Sequence, residues 1–222
     1  MKILGWAVCL CLLPGLAFAG LSQAERKSQF EKALGSIMAA ATPQMQENLR
    51  DTLIRDYANA KPNKGQAVQV NSGYYFRSAE HEDYAVTGNR TLEACQLRYG
   101  NPCALVAIND EITSEGELIS KDMPRLHYAG EFDLSKIPII RAVTRNRADV
   151  QSYFALGEPK AMTIHPWGFL FISTGRTIHE AEETALAKCN ADPRRKSRDG
   201  PCFLYAIDNN VVLPERRTSA KH

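Results

Sequence analysis

Beyond residue 19 this sequence has no apolar run long enough to cross a bilayer as a helix, no C-x-x-C pair and almost no net charge. Lys and Arg total 27 against 25 Asp and Glu, so overall charge makes no case for nucleic-acid binding. The missing C-x-x-C argues against thioredoxin-like redox chemistry. G-x-S-x-G, GxxxxGK[ST], H-E-x-x-H and GxGxxG are also absent, so none of these signatures assigns a reaction. What is present is ordinary: 44% hydrophobic and 23% charged residues in a chain of 222. That balance excludes a collagen-like, disordered or polytopic membrane chain and points to a folded globular protein.

The first nineteen residues read as a leader. Lys2 supplies a positive charge, Ile3 to Leu16 is apolar apart from Gly and Pro, and Ala17-Phe18-Ala19 is a small-x-small cleavage signal before Gly20. Pro14 and Gly15 break the run, and the neutral Gly20-Leu21-Ser22-Gln23 supplies no stop-transfer charge, which disfavours a membrane anchor. Cleavage there leaves 203 residues, a net charge of +1, and four of the six cysteines: Cys95, Cys103, Cys189 and Cys202. The expected location is periplasmic or secreted, and an even cysteine count in an exported chain reads as disulfides.

Laid over itself with an offset of about 95, the remaining chain matches in order. Gly73-Tyr74-Tyr75-Phe76 meets Gly168-Phe169-Leu170-Phe171, and Thr91–Cys95 meets Ala185–Cys189. Pro102-Cys103-Ala104-Leu105-Val106-Ala107-Ile108-Asn109 meets Pro201-Cys202-Phe203-Leu204-Tyr205-Ala206-Ile207-Asp208. Fainter echoes set Val68-Gln69-Val70 against Met162-Thr163-Ile164, and Tyr57 against Tyr153. The offset grows from 94 at the first cysteine to 99 at the second, because residues 192–199 are inserted in the second copy.

The expected fold is therefore α+β: two tandem copies of a strand–strand–helix–strand unit, each preceded by a helix, with small antiparallel or mixed sheets. Residues 20–42 read as an N-terminal helix, 43–112 as the first unit and 113–137 as a polar connection. Residues 138–213 read as the second unit and 214–222 as a basic tail. Phe30, Ala33, Leu34, Ile37, Met38 and Ala41 carry the first helical stripe, and Thr42-Pro43 is expected to end it and cap the next helix. Lys61–Gly65 reads as a loop, and Val68 and Val70 as a half-buried strand. Ser78 is expected to cap a helix carrying Tyr84, Ala85, Gly88, Leu92, Cys95 and Tyr99, in which Gly88 costs about 1 kcal/mol relative to Ala. In the second copy Thr177 and Glu180 form a capping box, and Ile178, Ala181, Ala185 and Cys189 mark one face.

In each copy one cysteine falls on the last helical turn and one at the start of the next strand. The repeat thus favours Cys95–Cys103 and Cys189–Cys202 among the three possible pairings, each clipping helix to strand. The spacings lack the close ligand pairs of a zinc site, and no residue set calls for a metal or other cofactor. The helix ending in Cys, then Asn/Gly-Pro-Cys, then Leu-Tyr-Ala-Ile-Asp resembles a small cysteine-paired α/β repeat of exported Gram-negative bacterial proteins whose function is uncharacterised. Residues 160–213 carry the match most closely. The resemblance implies export and disulfides, and transfers no catalytic residue.

Two segments stand out as candidate contact sites. His165-Pro166-Trp167-Gly168 is a turn holding the only Trp outside the leader. Arg194, Arg195, Lys196 and Arg198 form a basic concentration suited to an acidic envelope protein or an anionic ligand. That loop contains no aromatic residue, which disfavours nucleic acid and suits a solvated insertion. His81-Glu82-Asp83 and His179-Glu180 read as carboxylate-rich helix starts. The expected function is a non-enzymatic binding or interaction module. The alternative is an envelope hydrolase with Tyr57, Tyr153, His165 and Asp208 meeting between the copies.

Overall fold

The computed structural model describes residues 21–113, 126–196, 198 and 200–213. The expected leader, the basic tail and residues 114–125 of the connection lie outside the described residues. Helix α1 (Gln23–Ala41) opens on a capping box absent from the sequence reading: Ser22 Oγ accepts from Glu25 N, and Glu25 Oε2 accepts from Ser22 N at 2.7 Å. Its buried stripe is Phe30, Leu34, Met38 and Ala41, packed against Leu53, Ile54 and Tyr57 of α2 (Glu47–Ala58). Thr42 does not cap α2. It terminates α1, where its hydroxyl donates to Met38 O at 2.6 Å; Pro43 disfavours helical backbone at the residue before it, and Gln46 holds the N-cap position of α2.

The first sheet is antiparallel, with strands β1 (Gly65–Val68), β2 (Tyr75–Ser78), β3 (Ala104–Ile108) and β4 (Glu111–Ile112) in the order β2-β1-β3-β4. The first strand lies earlier than Val68–Val70. Gly65 is paired with Ser78 and Ile108, whereas beyond Val68 the chain turns toward α1, with Asn71 N donating to Ala41 O at 2.8 Å. Helix α3 (Tyr84–Tyr99) is capped by Asp83, whose carboxylate accepts from Val86 N at 3.0 Å, while Ser78 closes β2. Gly88 has a packing reason. A Cβ there would lie 2.9 Å from Ile108 Cδ1 and 3.1 Å from Leu105 Cδ2, so glycine lets the helix settle on β3.

The second sheet is also antiparallel, in the order β5-β9-β8-β6-β7. Its strands are β5 (Gly130–Glu131), β6 (Lys160–His165), β7 (Phe169–Thr174), β8 (Phe203–Ile207) and β9 (Asn210–Val211). Short helices α4 (Ala142–Arg145) and α5 (Ala148–Gln151) precede β6, and α6 (Ile178–Asn190) lies between β7 and β8. Thr177 caps α6 as expected, accepting from Glu180 N at 3.1 Å, but Glu180 Oε2 accepts from Arg176 N rather than closing a full box. The connection contributes β5, a strand too short to leave a periodic signal.

Helices α1 and α2 cover one face of the first sheet and α3 the other. Helix α6 covers one face of the second sheet through Ala181 and Ala185 on Ala161. The opposite face, with Met162, Ile164, Phe203 and Tyr205, shares a single core with Ala67, Phe76, Leu92 and Leu105 from the first half. Phe132, Ile137, Ile140, Val150 and Tyr153 of the intervening segment fill the same core. The two halves are thus joined by apolar packing, and a cleft forms along their seam. The disulfides are Cys95–Cys103 and Cys189–Cys202, with Cα atoms 6.2 and 6.1 Å apart, each tying the last turn of a helix to the residue before the next strand.

Candidate anion-binding cleft

The turn after β6 is built around His165. Trp167 N donates to His165 Nδ1 at 3.3 Å, so Nδ1 is the acceptor and Nε2–H donates to Gly200 O at 3.0 Å. Arg195 Nη2 reaches the same carbonyl at 2.8 Å. His165 is fully buried and clamps the hairpin to the start of the next segment. Gly168 is in the left-handed region at φ 77°, and a Cβ there would stand 3.1 Å from Ile139 O, so the turn needs glycine twice over.

The basic concentration does not extend into solvent as an aromatic-free loop. Arg194 lies over the Phe169 and Phe171 rings at 4.8 and 5.8 Å, and Arg198 over Trp167 and Phe169 at 5.7 and 5.3 Å. The aromatic residues missing from the loop come from the neighbouring hairpin. Arg194 is paired with Asp192 at 2.5 Å, Arg195 holds backbone and Asn190, and Lys196 is exposed. The two segments read separately in the sequence therefore meet, and Trp167 with Arg198 forms one wall of a cleft of about 120 Å³.

The other walls come from elsewhere in the chain. Phe76 and Ser78 come from β2, Glu80 and His81 from the residues just after it, Arg90 and Ala94 from α3, and Ile139 and Arg141 from the segment before α4. The Phe76 and Trp167 rings meet at 5.3 Å across the seam. Two of the cleft charges are neutralised locally: Arg90 pairs with Glu82, and Glu80 pairs with Lys61 at 2.6 Å. Lys61 holds the Glu80 carboxyl below its ordinary range, with Arg141 and Arg198 adding to the effect. Arg141 and Arg198 themselves have no ion-pair partner among the described residues.

His81 is the residue whose place was hardest to foresee. Thr91 donates its hydroxyl proton to Thr87 O at 2.8 Å, so the 2.6 Å contact between Ser78 Oγ and Thr91 Oγ1 takes its proton from Ser78. Ser78 Oγ must then accept from His81 Nε2 at 2.8 Å. This chain fixes the neutral tautomer with its proton on Nε2 and leaves Nδ1 as an acceptor. Nδ1 is buried and has no hydrogen-bond partner among the described residues. Burial, aided by Arg90 and opposed by Glu82, lowers the imidazole to about 4, so it stays uncharged at neutral pH. Gly65 makes the chain possible, because a Cβ there would collide with Thr91 Oγ1.

The four residues considered for hydrolysis do not converge. Tyr57 is buried in the first half and donates to Lys64 O at 3.2 Å. Tyr153 and Asp208 meet at Lys160: the ammonium sits 5.1 Å from the Tyr153 ring centre, and Asp208 Oδ1 accepts from Lys160 N at 3.0 Å. His165 is at the opposite end of β6, about 16 Å away at 3.3 Å per residue. Among the described residues no group of three or more His, Cys, Asp or Glu could hold a metal ion, and His179 pairs with Glu183 at 3.1 Å on an exposed helix face. Comparison with protein-family models, curated proteins and solved structures finds no match.

Proposed function

We propose that this chain is an exported binding protein rather than an enzyme, and that the cleft between its halves takes an anionic group. The observation that carries this reading is the presence of Arg141 and Arg198, neither in an ion pair among the described residues, in one cleft beside Trp167 and Phe76. Guanidinium groups present fixed donors suited to carboxylate or phosphate oxygens, and the stacking of Arg198 on aromatic rings holds one of them in place. Folded, disulfide-bonded protein should gain thermal stability from small anions. The double variant Arg141→Gln/Arg198→Gln should bind them at least about tenfold more weakly, since each lost charge-assisted contact is worth about 1.5–3 kcal/mol. Unchanged affinity in that variant would remove the basis of the proposal.

A hydrolase reading has one feature in its favour, the Ser78–His81 contact. Its polarity is wrong for nucleophile activation, because the serine proton is directed to Thr91 and the imidazole is a weak base.

Export is supported by the leader-like residues 1–19 and by the two disulfides, which persist in oxidising compartments. Among the described residues no helix is long and apolar enough to cross a membrane. Protein recovered from its native cells should begin at Gly20 on N-terminal sequencing; recovery with Met1 in place would refute cleavage.

The halves are inferred to be tandem copies. Both sheets run hairpin strand, first strand, post-helix strand, short strand, and both carry a register shift in the first strand, at Gln66/Ala67 and at Met162/Thr163. That register makes the offset 96 there and sets Val68 against Ile164, two residues from the alignment read in sequence. Lys64 and Lys160 occupy corresponding places, each over a buried tyrosine and each receiving a side-chain oxygen, from Asn109 or Asp208, at its backbone N–H.

A further inference from the structure

We propose that an extended, acidic segment of another protein docks in this cleft as an added strand on the open edge of β2. This rests on the anion-binding reading and names the partner. The two sheets end on corresponding edge strands, β2 and β7. Alternate residues of an edge strand turn their N–H and C=O away from the sheet. In β7 these are Leu170 and Ile172, because Gly175 N donates to Pro159 O and the register then pairs Ser173 with Ala161 and Phe171 with Thr163. In β2 they are Tyr75 and Arg77, because Gln69 N donates to Tyr74 O and the register then pairs Phe76 with Ala67 and Ser78 with Gly65.

The second half closes its edge with side chains. Arg147 Nη1 donates to Leu170 O at 2.9 Å, and Lys188 Nζ donates to Ile172 O at 3.1 Å. The first half closes only part of its edge. Tyr99 donates its hydroxyl proton to Tyr75 O at 2.5 Å, but neither the N–H nor the carbonyl of Arg77 has a hydrogen bond among the described residues. The difference lies one residue before the helix cysteine. Lys188 precedes Cys189, and Ala94 stands at that place before Cys95. Ala94 lines the cleft, and a hollow of about 430 Å³ continues it past Arg77 and Tyr74, sharing Phe76 and Trp167.

Unpaired strand groups suit a polypeptide backbone, which offers donors and acceptors at the spacing of the strand itself. The lining sets the charge of the partner. Arg77, Arg90, Arg98, Arg141 and Arg198 line the two hollows with one carboxylate, Glu80, on which Lys61, Arg141 and Arg198 all act. With Asp56 beside Arg77 and Glu82 beside Arg90 also counted, cations stay in excess, so carboxylates on the added strand are favoured.

The test is fluorescence anisotropy of labelled peptides with the disulfide-bonded chain at pH 7.5 and constant ionic strength. The probes are an eight-residue peptide of alternating Glu and Val, the same peptide N-methylated at every amide, and its Gln–Val counterpart. The Glu–Val peptide should bind, and each of the others at least about tenfold more weakly. Ala94→Lys should weaken the Glu–Val peptide by about the same factor although it adds a cation, because the new ammonium can take the Arg77 carbonyl as Lys188 takes that of Ile172. Equal binding of the N-methylated peptide, or tighter binding by Ala94→Lys, would show charge acting alone; it would overturn the added strand and leave the anion-binding reading standing. Equal binding of the Gln–Val peptide would overturn the acidic partner. No peptide binding, with inorganic phosphate still raising thermal stability, would overturn this proposal only, and no response to either would overturn both. A chain that sediments as a dimer, and as a monomer after Ala94→Lys, would put a second copy on the edge instead. The N-methyl comparison uses the unaltered protein, so failure of Ala94→Lys to fold does not protect the proposal.

Discussion

Replacing all four cysteines by alanine is expected to remove about 5–6 kcal/mol of stability and bring the chain close to unfolding at room temperature. Each disulfide closes a short loop, of sequence separation 8 for Cys95–Cys103 and 13 for Cys189–Cys202. In the chain-entropy account each restricts the unfolded ensemble by about 2.5–3 kcal/mol. A domain of ordinary stability has only about 5–15 kcal/mol in total. The two clips should not weigh the same. Cys95 and Cys103 lie in the core that both halves share, whereas Cys189, buried on the last turn of α6, is not part of that core. Loss of the first pair should therefore lower the denaturation midpoint of the whole molecule. Loss of the second should first free the basic segment and the Gly200 carbonyl that His165 holds. Denaturant unfolding of the two double variants and the quadruple variant measures this directly. A combined loss below about 1 kcal/mol would mean that core packing alone holds the helix-to-strand connections.

The second large effect is expected at Lys160. Its side chain is among the largest in the protein to be fully buried, at 1% exposure, and its ammonium donates to Leu156 O at 3.1 Å and Phe154 O at 3.4 Å over the Tyr153 ring. A buried lysine of this kind organises backbone: it supplies protons to carbonyls at the end of the segment entering β6. Lys160→Met keeps the volume of the stem but leaves those carbonyls without their donor. At about 1.5–3 kcal/mol for a hydrogen bond made by a charged group, and with the Phe154 bond long and partly open to water, a loss of about 2–4 kcal/mol is expected. Lys64→Met should cost less. Lys64 donates to one such carbonyl, Ala58 O at 3.1 Å, and its other partner, Asp110 at 2.9 Å, is 74% exposed and can return to water. Equilibrium unfolding of both variants checks the order, and a Lys160→Met protein as stable as the parent would refute the role assigned to the ammonium.

Nothing in the sequence marks Lys64 or Lys160 as buried. Lys64 sits in Lys61–Gly65, a stretch with the composition of a solvated loop, and a single lysine carries no mark of burial. Helix α6 was legible because everything that defines it is local: Thr177 as cap, apolar residues three and four apart, and a cysteine on the same stripe. The first strand was misplaced because Val68 and Val70 alternate as a strand should, while Gly65 and Gln66, which pair in the sheet, look like loop residues. Ser78 offered a plausible cap by type, but it was needed at the end of β2, and Asp83 stood nearer the helix.

The cleft divides in the same way. Trp167 and Arg198 could be singled out, one as a lone Trp in an unusual turn and one within a charge cluster. Their contact could not, and neither could the presence of Ser78, His81, Arg90 and Arg141 opposite them. These residues come from five segments spread over some 120 positions, and no periodicity links them. Sequence by itself determined the leader-like start, the α+β class, the disulfide pairing and the recurrent order of elements, because each follows from patterns shorter than about 20 residues or from like residues recurring at one offset. Only the tertiary structure decided that the halves share one core, that Arg141 and Arg198, in no ion pair among the described residues, meet in the seam, and that a hydroxyl chain sets which nitrogen of His81 is left to accept. Those outcomes depend on which faces pack together, and packing is settled by the whole chain at once.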